Sequence, residues 1–491
     1  MIGKQLGAAV CLTVVAAWGA SSLAADASIA AAAERQDFSS IAGLIRQNAD
    51  VNASQQDGMT ALHWAVQHSN EEAVSLLIAA GANVSAANRY GVMPIAIACQ
   101  RGNAAIVEAL LQGGADPNKA LPGGETALMT ASRTGMAGPV RSLIAHGADV
   151  NAREPKGQTA LMWAAAEGNR EVVDLLLAAG ADWTARLASG FTAIFFAVRE
   201  GRSDVVFRLL EAGADVNAVM QPERRNGSAR GRPTTALLLA VENGHFELGA
   251  ALLNAGADAN AHPAGFTALH AVTWVRRPLR GDGNPSPAGS GVLDSLHFVR
   301  HLVAQGADVN SRYEKGESGK ATFGTKGATP FIMAARNSDL ALLKLLHELG
   351  ADHGVPNADG CTPLLAAAGV GALGSGDELA GAEEEAIETA RWLLEQGADV
   401  NAVDRNGESA LHGAAYQERA KLMQFLVDRG ASIEVWNNKN KWGWTPLMIA
   451  HGHRPGNFRP SPQTIMALEK VMRASGVEPP KPQREVNQAA Y

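Results

Sequence analysis

Histidine is the side chain best suited to proton transfer and metal binding near neutral pH, so its placement is the first question to put to this sequence. His63, His270 and His412 fall at one recurring position, three residues after Thr60, Thr267 and Ser409. The same position elsewhere holds Met129, Met162, Phe195, Leu238 and Met448. Exchange with apolar residues marks a packing position, with the ring nitrogens met by nearby backbone. His451-Gly452-His453 forms a pair with no cysteine or third ligand at metal-site spacing. Gly369-Val370-Gly371-Ala372-Leu373-Gly374 spells a dinucleotide fingerprint, but it follows an alanine-rich helical stretch rather than a strand. No His-Glu-x-x-His, phosphate-binding loop or Gly-x-Ser-x-Gly elbow occurs. The sequence therefore assigns no catalytic residue, no cofactor site and no metal site, and predicts a protein that is not an enzyme.

Chemistry being weak, the elements carry the reading. The chain has 491 residues, 46% hydrophobic and 19% charged, with a net charge of −7. That length calls for several domains or one extended array, and the acidic balance argues against general nucleic-acid binding. Lys4, the uncharged run Leu6 to Trp18 and the small residues Ser22 to Ala25 have the pattern of a secretory signal peptide over residues 1–25. The alternative is an uncleaved anchor, for which the run is short against the roughly 20 residues a spanning helix needs. No later segment is apolar for long enough to span a membrane. Beyond the signal only Cys99 and Cys361 remain, too few for a disulfide framework.

Periodicity fixes the architecture. Thr60-Ala61-Leu62, Thr126-Ala127-Leu128, Thr159-Ala160-Leu161 and Thr192-Ala193-Ile194 lie on a 33-residue grid, with Met93-Pro94-Ile95 filling the missing step. The series continues, more widely spaced, at Thr235, Thr267, Thr329, Thr362, Ser409 and Thr445. Threonine caps a helix start, and Pro94, Pro330, Pro363 and Pro446 suit the first helical position. Glycines such as Gly168 and Gly180, 9 and 21 residues after Thr159, stop two successive helices. Helices this short need neighbours to be stable.

Gly58 to Ala65 reads Gly-x-Thr-Ala-Leu-His-x-Ala, and Leu-Leu-x-x-Gly-Ala-Asp follows in the later copies. This pattern resembles the ankyrin repeat. The resemblance implies an all-α ankyrin-repeat solenoid of stacked helix-turn-helix units joined by hairpin finger loops. About twelve repeats would occupy residues 26–477, the first and last being degenerate caps. Residues 478–491, rich in proline, read as a disordered tail.

Departures from the grid mark candidate binding regions. One lengthened finger carries Arg224, Arg225, Arg230 and Arg232, and a second carries Arg312, Lys315, Lys320 and Lys326. They would stand about 20 Å apart if neighbouring helices pack at 8–10 Å. A third insertion carries Arg276, Arg277 and Arg280 and should emerge at the opposite end of the helices. In ankyrin-like repeats the residue four after the threonine faces a concave groove. Here that position holds Trp64, Ile97, Thr130, Trp163, Phe196, Leu239 and Met333, with Trp274 and Tyr416 three residues further along their own helices. Large apolar groups in a groove form an interaction surface.

The expectation is an exported scaffold, periplasmic or secreted and monomeric, whose groove and basic fingers bind another protein of acidic character. The alternative is a cell-envelope anchor whose fingers hold an anionic polymer or lipid headgroup.

Overall fold

A computed structural model describes residues 29–225, 228–229, 231–278, 285–319, 322–372, 381–453 and 459–480. The predicted signal peptide (1–25), Arg230, Arg280, Lys320 and residues 481–491 of the predicted tail lie outside the described residues, as do Leu373 and Gly374 of the glycine motif.

Each repeat begins where a threonine ends an extended finger. Thr60, Thr126, Thr159, Thr235, Thr329, Thr362 and Thr445 each accept a hydrogen bond from the backbone N–H three residues on, at 3.2–3.4 Å. Such a cap is worth about 1 kcal/mol. Met93 has no oxygen to offer, and Pro94 at the first helical position removes one of the N–H groups that would need it. The first helix stops at a left-handed residue, as at Gly168 with φ 81°. Four repeats place Gln36, Ser69, Ser338 and Glu418 at this same step, with φ between 53° and 60°. A side chain there strains the backbone by about 1 kcal/mol.

The second helix buries one stripe, for example Val172, Val173 and Leu176, and closes in a left-handed turn. After Arg170–Ala178, the N–H of Gly180 donates to Leu177 O and that of Ala181 to Leu176 O. The following Asp and Asn organise the finger turn. Asn151 N–H donates to Asp149 Oδ1 at 2.9 Å, and the Asn151 side chain reaches into the next repeat. Its Nδ2 donates to Gly180 O at 3.1 Å, while its Oδ1 accepts Asp182 N–H at 2.7 Å. Asn52, Asn217, Asn260 and Asn401 make the same two-point clamp.

The described residues fall into two compact units, divided between Pro122 and Gly123. The first contains three helix pairs among its described residues, from Ile29–Glu34 to Ala104–Gln112. Its core is built on Ile41, Leu62, Val66, Val74, Leu77 and Leu110, all fully buried. The second contains nine pairs among its described residues, from Ala127–Thr134 to Pro462–Ala474. Within each unit first helices stack on first helices and second helices on second. The fold is an all-α ankyrin-repeat solenoid. No helix among the described residues is long and apolar enough to cross a membrane.

The described parts of the two lengthened fingers and of the insertion after Arg276 are tied to the stack of the second unit. Val219–Met220 pairs antiparallel with Thr234–Thr235, and Arg224–Arg225 with Ser228–Ala229. In the second finger Arg312 donates to Pro356 O at 2.8 Å, and Gly324 O accepts Asn357 Nδ2 at 2.7 Å. The inter-helix insertion is equally tied. Arg276 grips Asp339 with two bonds of 2.7 and 3.2 Å, and Arg277 reaches Glu385 at 2.8 Å.

Candidate interaction surface

Positions four and seven after the threonine share one face of the first helix. In the first unit this face carries Trp64, half-buried, whose Nε1 donates to Gln55 Oε1 at 2.8 Å. The ring stacks on His68, with centroids 6.0 Å apart. Ile97, one repeat on, is buried.

In the second unit the face holds guanidinium groups laid against aromatic rings. Arg133 lies 5.8 Å from the Trp163 ring centre and 3.8 Å from Glu125. Arg199 lies 5.1 Å from Phe196 and 5.5 Å from Phe191, and bonds Glu200 at 2.8 Å. Arg232 covers Phe266 at 4.9 Å and pairs with Glu242. Arg336 covers Phe323 of the second finger at 5.0 Å. A cation over a ring within about 6 Å gains roughly 0.5–1 kcal/mol at exposed sites. Arg133, Arg199 and Arg232 keep 41%, 42% and 54% of their side chains exposed. Each guanidinium thus lies against a ring and near an acid of its own chain, with part of its surface exposed.

The residues predicted to line a groove divide between half-buried and buried. Trp163 is half-buried, and its Nε1 has no partner. Phe196, Leu239 and Met333 are buried. Phe196 is covered by the Arg199 and Phe191 side chains, so it presents a guanidinium where a bare ring was expected. Trp274 is half-buried and packs edge-on to Phe266 at 5.0 Å. Tyr416, expected to line the groove, is instead fully buried, its hydroxyl donating to Glu408 at 2.7 Å.

The described basic finger residues are largely paired. Arg232 is held by Glu242, and Lys326 by Glu317 at 2.7 Å. Lys315 is exposed. Arg224 and Arg225 sit on a ribbon strand.

Sequence reasoning missed Arg133, Arg199 and Arg336. The signal was present: each stands three residues beyond a groove position, where only Trp274 and Tyr416 drew notice.

The histidines tie repeats together. His63 Nδ1 accepts the Thr60 N–H at 3.2 Å, and its Nε2 donates to Val92 O of the next finger at 3.1 Å. His270 and His412 repeat this with Ala328 O at 3.1 Å and Trp444 O at 3.2 Å. Burial depresses all three, His270 and His412 to about 4. Burial also raises Cys99 to about 12 and Cys361 well above the usual thiol range, which leaves both as inert core thiols. Among the described residues, no group of three or more His, Cys, Asp or Glu could hold a metal.

The family model for ankyrin repeats in three copies matches residues 29–121, 128–220 and 378–456, more than half of the chain. The chain belongs to the ankyrin-repeat family. It is similar to neurogenic locus notch homolog protein 1 of Xenopus tropicalis, with 31% identity over 176 residues, covering 32% of this chain and 6% of that protein. It is 37% identical over 108 residues to the Notch protein of Drosophila melanogaster, covering 21% and 4%. The probable 26S proteasome regulatory subunit p28 of Saccharomyces cerevisiae is 31% identical over 131 residues, covering 26% and 50%. The chain spans half or less of the length of these relatives.

Proposed function

We propose that this protein is a non-enzymatic scaffold that binds an acidic segment of another protein along the inner face of its second unit. The ring-braced arginines Arg133, Arg199 and Arg232 carry this reading, because three partly exposed guanidinium groups along one unit, each able to exchange its own acid for another, suit a run of carboxylates. Phe196, Leu239 and Met333 form the apolar floor, and Trp163 and Trp64 offer rings to their own units. Lys315, Lys326, Arg224 and Arg225, together with Arg230 and Lys320, steer the partner. Family membership supports a binding role, while the choice of partner rests on the arginines.

The reading extends to the whole chain. Residues 1–25 direct export to the periplasm or exterior, residues 26–477 form about twelve repeats with degenerate caps, 478–491 are a tail, and the product is a monomer. The test passes a periplasmic extract over immobilised protein, with and without polyglutamate as competitor. A protein retained by the native chain, released by polyglutamate and lost from the Arg133→Ala/Arg199→Ala variant supports the reading. Retention that ignores both the competitor and the variant refutes it. Capture of envelope polymer alone transfers the function to anchoring.

A further inference from the structure

The asparagine clamp is interrupted at Thr184, at the junction of two repeats in the second unit. An asparagine there would bond Gly213 O and Asp215 N–H, as Asn151 bonds Gly180 and Asp182. Thr184 is too short to reach, and its hydroxyl turns back to Asp182 Oδ1 at 2.6 Å. The clamp residue is likewise replaced at Ser85 and Gly354. The Thr184 junction differs from these in its neighbour. Trp183 stands where six other repeats carry valine: Val51, Val84, Val150, Val216, Val309 and Val400. Its ring edge wedges towards Gly213, where an added Cβ would lie 3.6 Å from Cζ2.

A cavity of about 200 Å³ opens at this point, with apolar walls from Trp183, Ile194, Phe195, Ala218, Val219 and Met220. Val219 is 40% exposed, unusual for a large apolar side chain in this protein. An apolar cavity of about 150 Å³ holds one benzene ring, so this one has room for a single aromatic side chain. Its surroundings select the rest of the ligand. Arg186 stands on the rim, and Arg153 Nη1 donates to Arg186 O at 3.3 Å, bringing a second guanidinium alongside. The basic finger rises directly from Val219–Met220, and Glu223 N–H ties it back to Ala188 O at 2.9 Å. Asp215, the acid on the rim, is already engaged, its Oδ1 accepting Asn217 N–H at 2.9 Å.

We infer that this cavity is a binding pocket for one aromatic side chain flanked by carboxylates, presented by an extended acidic peptide of a partner protein. The inference deepens the proposed function and rests on its acidic partner. It adds an apolar anchor at a site separate from the arginine row. The aromatic ring displaces water from the walls, and the rim arginines pair with the flanking acids.

The test uses the full chain and dye-labelled peptides followed by fluorescence anisotropy. Asp-Glu-Phe-Asp-Glu should bind about tenfold more tightly than Asp-Glu-Ala-Asp-Glu, the worth of burying one ring. Lys-Lys-Phe-Lys-Lys should bind no better than the alanine peptide. The decisive variant is Trp183→Val/Thr184→Asn, which restores the regular repeat and so should raise the melting temperature. It should also shrink the preference for phenylalanine to about twofold or less. Equal binding of the phenylalanine and alanine peptides to the native chain overturns the pocket. So does a preference that survives in the variant. Partner capture separates this inference from the inner-face reading. A partner lost by Arg133→Ala/Arg199→Ala but kept by the pocket variant removes the pocket alone. The opposite pattern removes the arginine row alone.

Discussion

Two stretches of the second unit solve the same stacking problem differently. From Thr126 to Glu211 the repeats keep one length, and the third residue of each first helix is Met129, Met162 or Phe195. Neighbours there meet through apolar side chains, and the arginines stay at the surface against half-buried Trp163 and buried Phe196. From Thr267 to Trp444 insertions interrupt the grid, and polar groups enter the stack. His270 and His412 tie successive fingers, Arg276 grips buried Asp339, and Glu408 sits under Tyr416 and Asn440. Each buried polar group named here has a partner, as the cost of leaving one unmatched demands. The lesson is a division of labour. Regular repeats keep their cations in surface ion pairs and against rings, and interrupted repeats bury theirs in holding long connections down.

Truncating one member of each kind of pair gives the widest contrast. Asp339→Ala leaves Arg276 without its carboxylate at a site only 2% exposed on the Asp339 side, and also removes the cap on Leu342 N–H. It should cost about 3–5 kcal/mol in urea unfolding. Arg199→Ala should cost about 1 kcal/mol or less in the same measurement while weakening partner capture.

Acid should separate the stretches next. His270 and His412 are held neutral in the folded protein, with values depressed to about 4. Their contribution is fully present above the unfolded value near 6.5 and is lost as pH falls towards 4. Each accounts for about 3 kcal/mol at the low end. Hydrogen exchange at pH 4.5 should open Ala268–Arg276 and Ala410–Tyr416 well before Ala160–Glu167. His412→Met, the residue found at this position in regular repeats, should abolish the effect locally. Equal opening of both stretches would dissolve the contrast.

Glu408 works in the opposite sense. Burial raises it to about 7, with the Asp404 charge adding to the shift and the Tyr416 and Asn440 hydrogen bonds opposing it. An acid so shifted is most stabilising below its unfolded value near 4.5, and stability is lost as pH rises towards 7, by about 3 kcal/mol. Glu408→Gln should flatten that slope in thermal melts between pH 5 and pH 8. The smallest effect concerns backbone. Glu418, with φ 56°, stands where the regular stretch has Gly135, Gly168 and Gly201. Glu418→Gly should therefore stabilise by about 1 kcal/mol, read as a shift in urea midpoint.

The fold was legible because the repeat writes each cap and stop in the sequence many times over. A single threonine is weak evidence, but Thr60, Thr126, Thr159 and Thr192 in register are not. The histidines were legible for the same reason, since Met129 and Met162 at their position identify the role. The surface was read less completely. Trp163 and Phe196 stood out by type, whereas Arg133 and Arg199 look like ordinary surface charge until the fold sets a ring beneath each, Trp163 of the next repeat and Phe196 of the same helix. Tyr416 misled because its hydroxyl has a buried acid to serve, and that acid comes from the finger before it. The cavity at Trp183 was invisible to periodicity, which notices what recurs. Its two determinants, Trp183 and Thr184, are informative only as exceptions to a clamp whose geometry the structure supplies.

The broken clamp has a mechanical consequence. A stack joined at every step by an identical pair of bonds shares a pulling force evenly and yields as a whole. Where Thr184 omits the pair, tension concentrates on the apolar contact between the finger turns on either side. Drawn out from its ends, the second unit has a preferred place to part within its regular stretch, and an occupant seated against Trp183 would act as the missing fastener.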